Sequence, residues 1–319
     1  MRKNVNTMNI EGKIYQFKLE EKQTGETSKN PGTPFISGTV DVATDSSLSN
    51  LVQVHYTYVA PTYSSGKANS TYTALKKIID SGKTVTGDGY EAATLIRLNP
   101  SYQTNDFFPA GKDEPVCAPR NEGGFVTLIT PDKIRPEGDS DRNRFEFDVV
   151  INNVAETVPE NGDAFVKIDG IVFNYNNTMV YPITLTARHK DAMEYFLNLE
   201  ASTTNPVYTK VWGKIVNICT TVEKTIESAF GPGEVKTYEK RDREYLITGA
   251  NPVPYEFDTT ETITKEELTK VLQDRAVFLA SEKKRTEEYR ASKAAGGNTS
   301  PIAQAAAASN TVQAGGFSW

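Results

Sequence analysis

Hydrophobic and polar residues alternate with a period of two along most of the first 250 residues, a pattern typical of β-strands with one buried face. Between the third and fourth alternating segments the period changes, because Leu75, Ile78 and Ile79 follow helical spacing and Ser81-Gly82 ends the segment. The strand segments of the first part of the chain are residues 8–19, 35–42, 51–59, 93–98 and 124–129. This part therefore predicts three strands, a short helix and two further strands.

The second part of the chain repeats this order of elements. Its strand segments are residues 145–151, 164–173, 179–186, 207–218 and 234–248, with a helical segment at 191–197 after the third strand. Three strands, a helix and two strands is the connectivity of the five-stranded OB barrel. Because the order occurs twice, we predict a mainly β protein with two tandem OB-fold-like five-stranded barrels, at residues 1–133 and 134–258.

The last part of the chain has helical character followed by a segment of low complexity. Thr264 and Glu267 form a capping box ahead of a helical run of apolar residues. We predict a long C-terminal helix within residues 259–293, whose charged second half lies in solvent. Residues 294–319 are rich in Ala, Gly, Ser and Asn and predict a flexible tail with an aromatic tip.

Composition narrows the choice of partners and compartment. The chain has no run of about 18 apolar residues, so no membrane partner is expected. Its start lacks the apolar stretch of a secretion signal. The two cysteines, Cys117 and Cys219, provide neither a disulfide framework nor a zinc site, so a cytoplasmic location is expected.

Candidate catalytic groups are few. The two histidines, His55 and His189, fall in different halves, and none of the common hydrolase, metalloprotease or redox motifs occurs. The acidic group Glu137, Asp139 and Asp141 lacks the ligand spacing of a calcium loop. We therefore expect a non-enzymatic protein without cofactor or metal; an enzyme with an unfamiliar carboxylate site is the weakest alternative.

Nucleic-acid binding is better supported. A barrel that binds a single strand needs aromatic faces for base stacking and cations for phosphates. Strand alternation and a polar loop at 101–108 select the candidates Tyr56, Tyr58, Arg97, Tyr102, Phe107, Phe108, Lys112, Tyr175, Tyr181, Lys210, Trp212 and Lys214. For each strand aromatic, burial in a barrel core is the alternative.

With this repeat, the chain resembles the bacteriophage single-stranded DNA-binding proteins that have tandem OB folds. The resemblance covers about residues 4–258 and rests on Asn9–Ile14, Asn105–Phe108 and Arg243–Gly249. It implies coating of single-stranded DNA without sequence specificity in phage replication, recombination or repair, in the host cytoplasm. It also implies that replication or recombination proteins bind the C-terminal tail, here through Phe317 and Trp319.

The distribution of charge affects how such a protein would bind. The formal net charge is −6, yet residues 1–133 carry 14 basic and 14 acidic side chains, whereas residues 134–258 carry 13 and 20. The first barrel is therefore the more favourable surface for DNA, and stacking rather than bulk charge is expected to dominate.

A β-rich virion structural or assembly protein is the main alternative, because the chain is acidic and rich in Tyr and Asn, with a long helix and tail available for oligomer contacts.

Overall fold

The computed structural model describes residues 3–159, 163–226 and 233–294. In these residues there are ten strands and four helices. The strands are β1 (Asn6–Gln23), β2 (Pro34–Ala43), β3 (Leu51–Val59), β4 (Leu95–Phe107), β5 (Val116–Leu128), β6 (Arg144–Thr157), β7 (Phe165–Phe173), β8 (Val180–Ala187), β9 (Val207–Ile226) and β10 (Glu234–Ala250). The helices are α1 (Ser70–Ser81), α2 (Val85–Asp88), α3 (Lys190–Leu197) and α4 (Lys265–Ala294).

The first five strands form a closed barrel. Strand β1 pairs with β2, β2 with β3, β4 with β5 and β4 with β1, all antiparallel. The ring closes through a parallel pairing between β3 and β5. Helix α1 connects β3 to β4. This is the predicted OB connectivity.

Strands β6 to β10 form a second ring with the same order. The antiparallel pairs are β6–β7, β7–β8, β9–β10 and β6–β9, and a parallel bridge joins β8 to β10. Helix α3 occupies the position that α1 has in the first barrel. The predicted fold class, mainly β with tandem OB-fold-like barrels, is confirmed.

The side chains that point into the first barrel overturn one interpretation of strand β3. Val52, Val54 and Tyr56 are all buried in the core, because residues in phase with buried valines share their face. Tyr56 therefore cannot stack on a base, and the prediction that placed it on the binding face is wrong. Tyr58 is exposed instead of buried because the β2–β3 register shifts beside Gly38, whose φ is +136°, and the alternation along β3 is interrupted there.

Strand β1 belongs to both barrels. Its first residues, Asn6 to Asn9, pair with β6, while residues from Lys13 onward pair with β2. At the crossing, a Cβ at Gly12 would overlap the carbonyl of Ala43, so only glycine fits there. The two barrels are thus joined by a continuous strand.

Strand β4 extends through the segment predicted as a polar binding loop, residues 101–108. Tyr102 is 1% exposed, and its hydroxyl donates to the Pro182 carbonyl at 2.7 Å. Phe108 is buried as well. The loop prediction, and with it the stacking role of Tyr102 and Phe108, is wrong because both rings fill apolar space between packed elements.

Helix α4 begins as its capping box predicts. The Glu267 amide donates to Thr264 Oγ1 at 3.1 Å, and the Thr264 amide donates to Glu267 Oε2 at 2.9 Å. Leu268 and Val271 then pack against apolar residues of the second barrel.

From Arg275 onward, α4 follows the β4–β5 hairpin of the first barrel. Arg275 is buried and pairs with Asp106 at 3.1 Å, and Lys283 pairs with Asp113 at 2.7 Å. Arg290 donates to the Phe108 carbonyl at 2.5 Å. The side chains of residues 281–293 are exposed or half-buried, which agrees with a charged half that lies largely in solvent.

None of the helices in the described residues is long and apolar enough to cross a membrane. The tail and its candidate partner-binding residues, Phe317 and Trp319, lie outside the described residues.

Candidate nucleic-acid interface

A cleft of about 960 Å³ lies between the two barrels. One wall is the outer face of β7 and β8, the second and third strands of the second barrel. This is the face on which OB folds bind oligonucleotides. Its lining residues form three cross-strand pairs: Lys167 with Thr186, Asp169 with Thr184, and Ile171 with Pro182.

The remaining walls come from the first barrel and from the β9–β10 hairpin. Gln53, Tyr102, Cys117 and Pro119 line the cleft from the first barrel, and Asn217, Arg243, Glu244 and Tyr245 line it from the hairpin. The hairpin is fixed against the first barrel because the Tyr245 hydroxyl donates to buried Asn121 at 2.9 Å. The cleft is therefore a product of how the barrels pack, and neither barrel forms it alone.

Cations and an aromatic ring lie in or beside the lining of the cleft. Lys167 is exposed. The Arg188 guanidinium lies 4.7 Å from the centroid of the Phe165 ring and pairs with Glu244 at 2.5 Å. Arg243 donates to the Pro119 carbonyl at 3.0 Å. Among the described residues, neither Lys167 nor Arg243 has a carboxylate at ion-pair distance.

The outer face of β3 continues from the cleft across the first barrel. Gln53, His55 and Thr57 alternate with the buried residues of β3, so they point outward. Gln53 lines the cleft, and the cross-strand register places Lys18 and Thr39 in line with His55. This outer face is therefore continuous with the cleft.

Two aromatic rings lie at the far end of this face. The centroids of Phe35 and Tyr58 are 4.7 Å apart, with an angle of 32° between the rings. Tyr58 is 52% exposed, so one ring of the pair is open to a ligand. Solvent-exposed rings beside cations are the arrangement on which single-stranded bases stack.

His55, at the centre of the β3 face, lies among charged groups. Burial, together with the positive charges of Arg120 and Arg243, lowers the pKa of His55 to about 4, while the carboxylate of Asp41 acts in the opposite direction. The imidazole is therefore neutral near pH 7.

We call the combined surface the candidate interface. It consists of the cleft, with its lining residues and the adjacent Arg188, and of the outer face of β3, with Lys18, Phe35, Thr39, His55, Thr57, Tyr58 and Arg120. Two of its cations are paired, Arg120 with Glu122 at 2.6 Å and Arg188 with Glu244.

Of the residues predicted from the sequence, only Tyr58 lies on the exposed part of this interface. Tyr102 contributes to the cleft wall from a buried position. Arg97 donates to the buried carboxylate of Glu11 at 2.7 Å and to the Lys133 carbonyl at 3.1 Å, so its guanidinium holds β1 and β4 together. Arg97 lies outside the cleft, and its role as a phosphate or stacking partner stays a prediction.

The predicted cluster on β9 is occupied by contacts within the protein. Lys210 donates to Glu146 at 2.8 Å, and Lys214 donates to carbonyls of the segment before β6, including that of Arg142 at 2.7 Å. Trp212 packs so closely on Gly249 that a Cβ there would overlap the indole ring. These side chains attach β9 to β6 and β10 and lie outside the cleft, and the binding of DNA by Trp212 and its flanking lysines stays a prediction.

The other predicted residues are dispersed. Phe107 is 45% exposed and Lys112 is exposed as well, both at the end of the β4–β5 hairpin. Tyr175 is exposed and receives a hydrogen bond from Lys3 Nζ at 2.8 Å. Burial raises the pKa of Tyr181 to about 12, and Arg275 lies 5.8 Å from its ring. None of the four lines the cleft.

Sequence inspection missed most of the interface: Lys18, Phe35, Gln53, His55, Arg120, Phe165, Lys167, Arg188 and Arg243. For four of these residues the sequence held a signal. Gln53 and His55 on β3, and Phe165 and Lys167 on β7, alternate out of phase with the buried valines and isoleucines of their strands. The presence of aromatic residues was a poor criterion for choosing binding residues on these strands, because rings that lie on the same strand face as buried valines fill the core. Within the described residues, no group of His, Cys, Asp or Glu side chains is arranged to hold a metal ion.

Comparisons with known proteins find similar solved structures. The wild-type single-stranded DNA-binding protein from Thermus aquaticus is 10% identical with a TM-score of 0.47, and the match covers 81% of this chain and 97% of that chain. A deletion mutant of the same protein is 11% identical with a TM-score of 0.46, and the match covers 82% and 100%. A search of curated proteins found no match.

A protein-family model described as YorF matches residues 4–285, which include both barrels and the first two-thirds of α4. The chain belongs to the YorF family.

Proposed function

We propose that this protein binds single-stranded DNA and has no catalytic activity. The observation that carries the proposal is the continuous surface formed by the outer face of β3 and the inter-barrel cleft. It combines exposed aromatic rings, cations with no carboxylate at ion-pair distance among the described residues, and the second- and third-strand faces of OB barrels.

The chemistry of this surface fits a single strand better than a duplex. Tyr58 and Phe165 offer ring faces at its two ends, and Lys18, Arg243 and Lys167 lie between or beside them. A base can stack on a protein ring only when its own face is free, which is true of a single strand and not of a closed duplex. Stacking contributes about 1–3 kcal/mol per base, so a few platforms compensate for the small excess of positive charge.

The proposed setting is DNA replication, recombination or repair, in a bacteriophage and hence in the cytoplasm of its host. The support is the sequence resemblance of residues 4–258 to phage proteins of this kind. The same resemblance supports a role for Phe317 and Trp319 in binding other replication or recombination proteins.

A direct test is fluorescence anisotropy with a labelled mixed-sequence oligonucleotide, in competition with unlabelled single strands and with duplex of the same sequence. We expect submicromolar binding at low salt that the single strand displaces and the duplex does not. Tyr58→Ala should weaken binding about tenfold through the loss of one stacking platform.

The matched control is Phe125→Ala, which removes a ring of similar exposure, 62%, on the part of β5 that follows the Gly123-Gly124 turn. This variant should leave affinity unchanged. Absence of binding at low salt would overturn the proposal. If concentration-dependent assembly were found in its place, the virion or assembly alternative would be favoured.

A further inference from the structure

The lining of the cleft combines a few charged groups with many uncharged polar ones. Lys167 and Arg243 are its cations, whereas most of the other polar lining side chains are uncharged hydrogen-bonding groups. These uncharged polar residues are Gln53, Asn152, Thr157, Thr184, Thr186 and Asn217. Phosphate contacts only position a strand, whereas amide, hydroxyl and carboxylate groups distinguish base edges.

One carboxylate, Asp169, lies on the wall between these groups. It accepts hydrogen bonds from Thr184 Oγ1 at 2.7 Å and from Asn153 Nδ2 at 3.0 Å, one on each oxygen. A carboxylate has about four acceptor positions, so each oxygen retains capacity for a further donor. Asn152 lies beside it at the register shift of β6 and makes no side-chain hydrogen bond among the described residues.

The negative charge of Asp169 determines which part of a bound DNA strand can lie against it. A phosphate facing Asp169 would be repelled, so the phosphates of a bound strand are expected against Lys167 and Arg243. A base then faces Asp169. Ile171 and Pro182, the next pair along the same wall, provide an apolar surface for a base face.

We infer that the cleft is a base-reading subsite that prefers bases with an exocyclic amino group over thymine. A carboxylate can only accept, so the group opposite Asp169 must donate. The N4 amino group of cytosine is such a donor, and an Asp or Glu accepting from it is an established mode of base recognition. Thymine presents a carbonyl oxygen at the corresponding position. The inference rests on the proposed function and replaces uniform coating with a base preference.

The experiment compares oligo-dC with oligo-dT of equal length, since both are pyrimidines. Sequence-tolerant stacking alone predicts similar affinities, or a preference for the flexible oligo-dT. We expect oligo-dC to bind about tenfold more tightly to the full chain. Asp169→Asn keeps the shape and replaces an acceptor with a donor, so the ratio of the two affinities should fall to one or below.

Two further variants separate base reading from general effects. Asp191→Asn removes an exposed carboxylate on α3, outside the cleft, and should leave the ratio unchanged. Lys167→Ala should weaken both oligonucleotides by the same factor, because a phosphate contact carries no base information.

The outcomes distinguish this inference from the proposed function. If neither oligonucleotide binds at low salt, the proposed function fails. If both bind and oligo-dT is equal or tighter for the wild-type chain, only the base-reading inference is overturned, whether or not Asp169→Asn folds. An unchanged preference in folded Asp169→Asn would also overturn it.

Discussion

The salt dependence of DNA binding is the sharpest quantitative expectation of the candidate interface. Lys18, Lys167 and Arg243 have no carboxylate at ion-pair distance among the described residues, whereas Arg120 and Arg188 are already paired with glutamates. Each phosphate neutralised on a single strand contributes about −0.7 to the slope of log affinity against log salt. With about three such contacts the slope is about −2, so raising KCl from about 50 to 200 mM should weaken binding roughly 20-fold.

The assay is an anisotropy titration of a labelled single strand at four or five KCl concentrations. Lys167→Ala should reduce the steepness of the slope by about 0.7, because one phosphate contact is lost. Lys190→Ala removes another exposed lysine, which lies on α3 and does not line the cleft, and should leave the slope unchanged. A wild-type slope steeper than about −4 would refute the reasoning, since it requires more free cations than this surface has.

Three further predictions concern stability and are measured by urea denaturation. Tyr56→Phe should leave the free energy of unfolding unchanged or raise it, because this buried hydroxyl has no hydrogen-bond partner among the described residues. Tyr102→Phe should lower the free energy of unfolding by about 1 kcal/mol, because the hydrogen bond to Pro182 is lost; equal effects of the two substitutions would contradict this assignment. The folded pKa of His55, about 4, lies below its unfolded value of about 6.5, so stability should be complete above pH 6.5 and decline as the pH falls toward 4, and His55→Gln should flatten this decline. Arg275→Leu should cost about 3–5 kcal/mol by leaving buried Asp106 unpaired, and a double variant that also changes Asp106→Leu should recover most of the loss; no recovery would show that the guanidinium acts by packing.

The order of elements was predictable because it depends on local patterns. Alternation along 51–59 and helical spacing around Leu75 are properties of short segments. Patterns of the same kind, repeated in the second part of the chain, predict the order of elements in both barrels. Segment ends were less predictable. Strand β4 continues to Phe107 because it pairs with β5 up to Val116, a contact between residues whose polar sequence is typical of a loop.

The candidate site was largely unpredictable because the packing of two barrels creates it. Nothing near Lys167 in the sequence indicates that Gln53 lies across a cleft from it. Conversely, Trp212 beside two lysines matches a DNA-binding pattern, yet the lysines bond within the protein and the ring packs on Gly249. Such pairings depend on tertiary contacts that alternation along one strand does not encode.

The sharing of β1 between the barrels has a consequence for folding. Residues Asn6 to Asn9 pair with β6 of the second barrel, and the rest of β1 pairs with β2 and β4 of the first barrel. Neither barrel can unfold without removing hydrogen bonds from its neighbour, so the two should denature in a single cooperative transition. A chain divided between residues 133 and 134 would instead leave unpaired strand edges on both fragments, which are sites for aggregation.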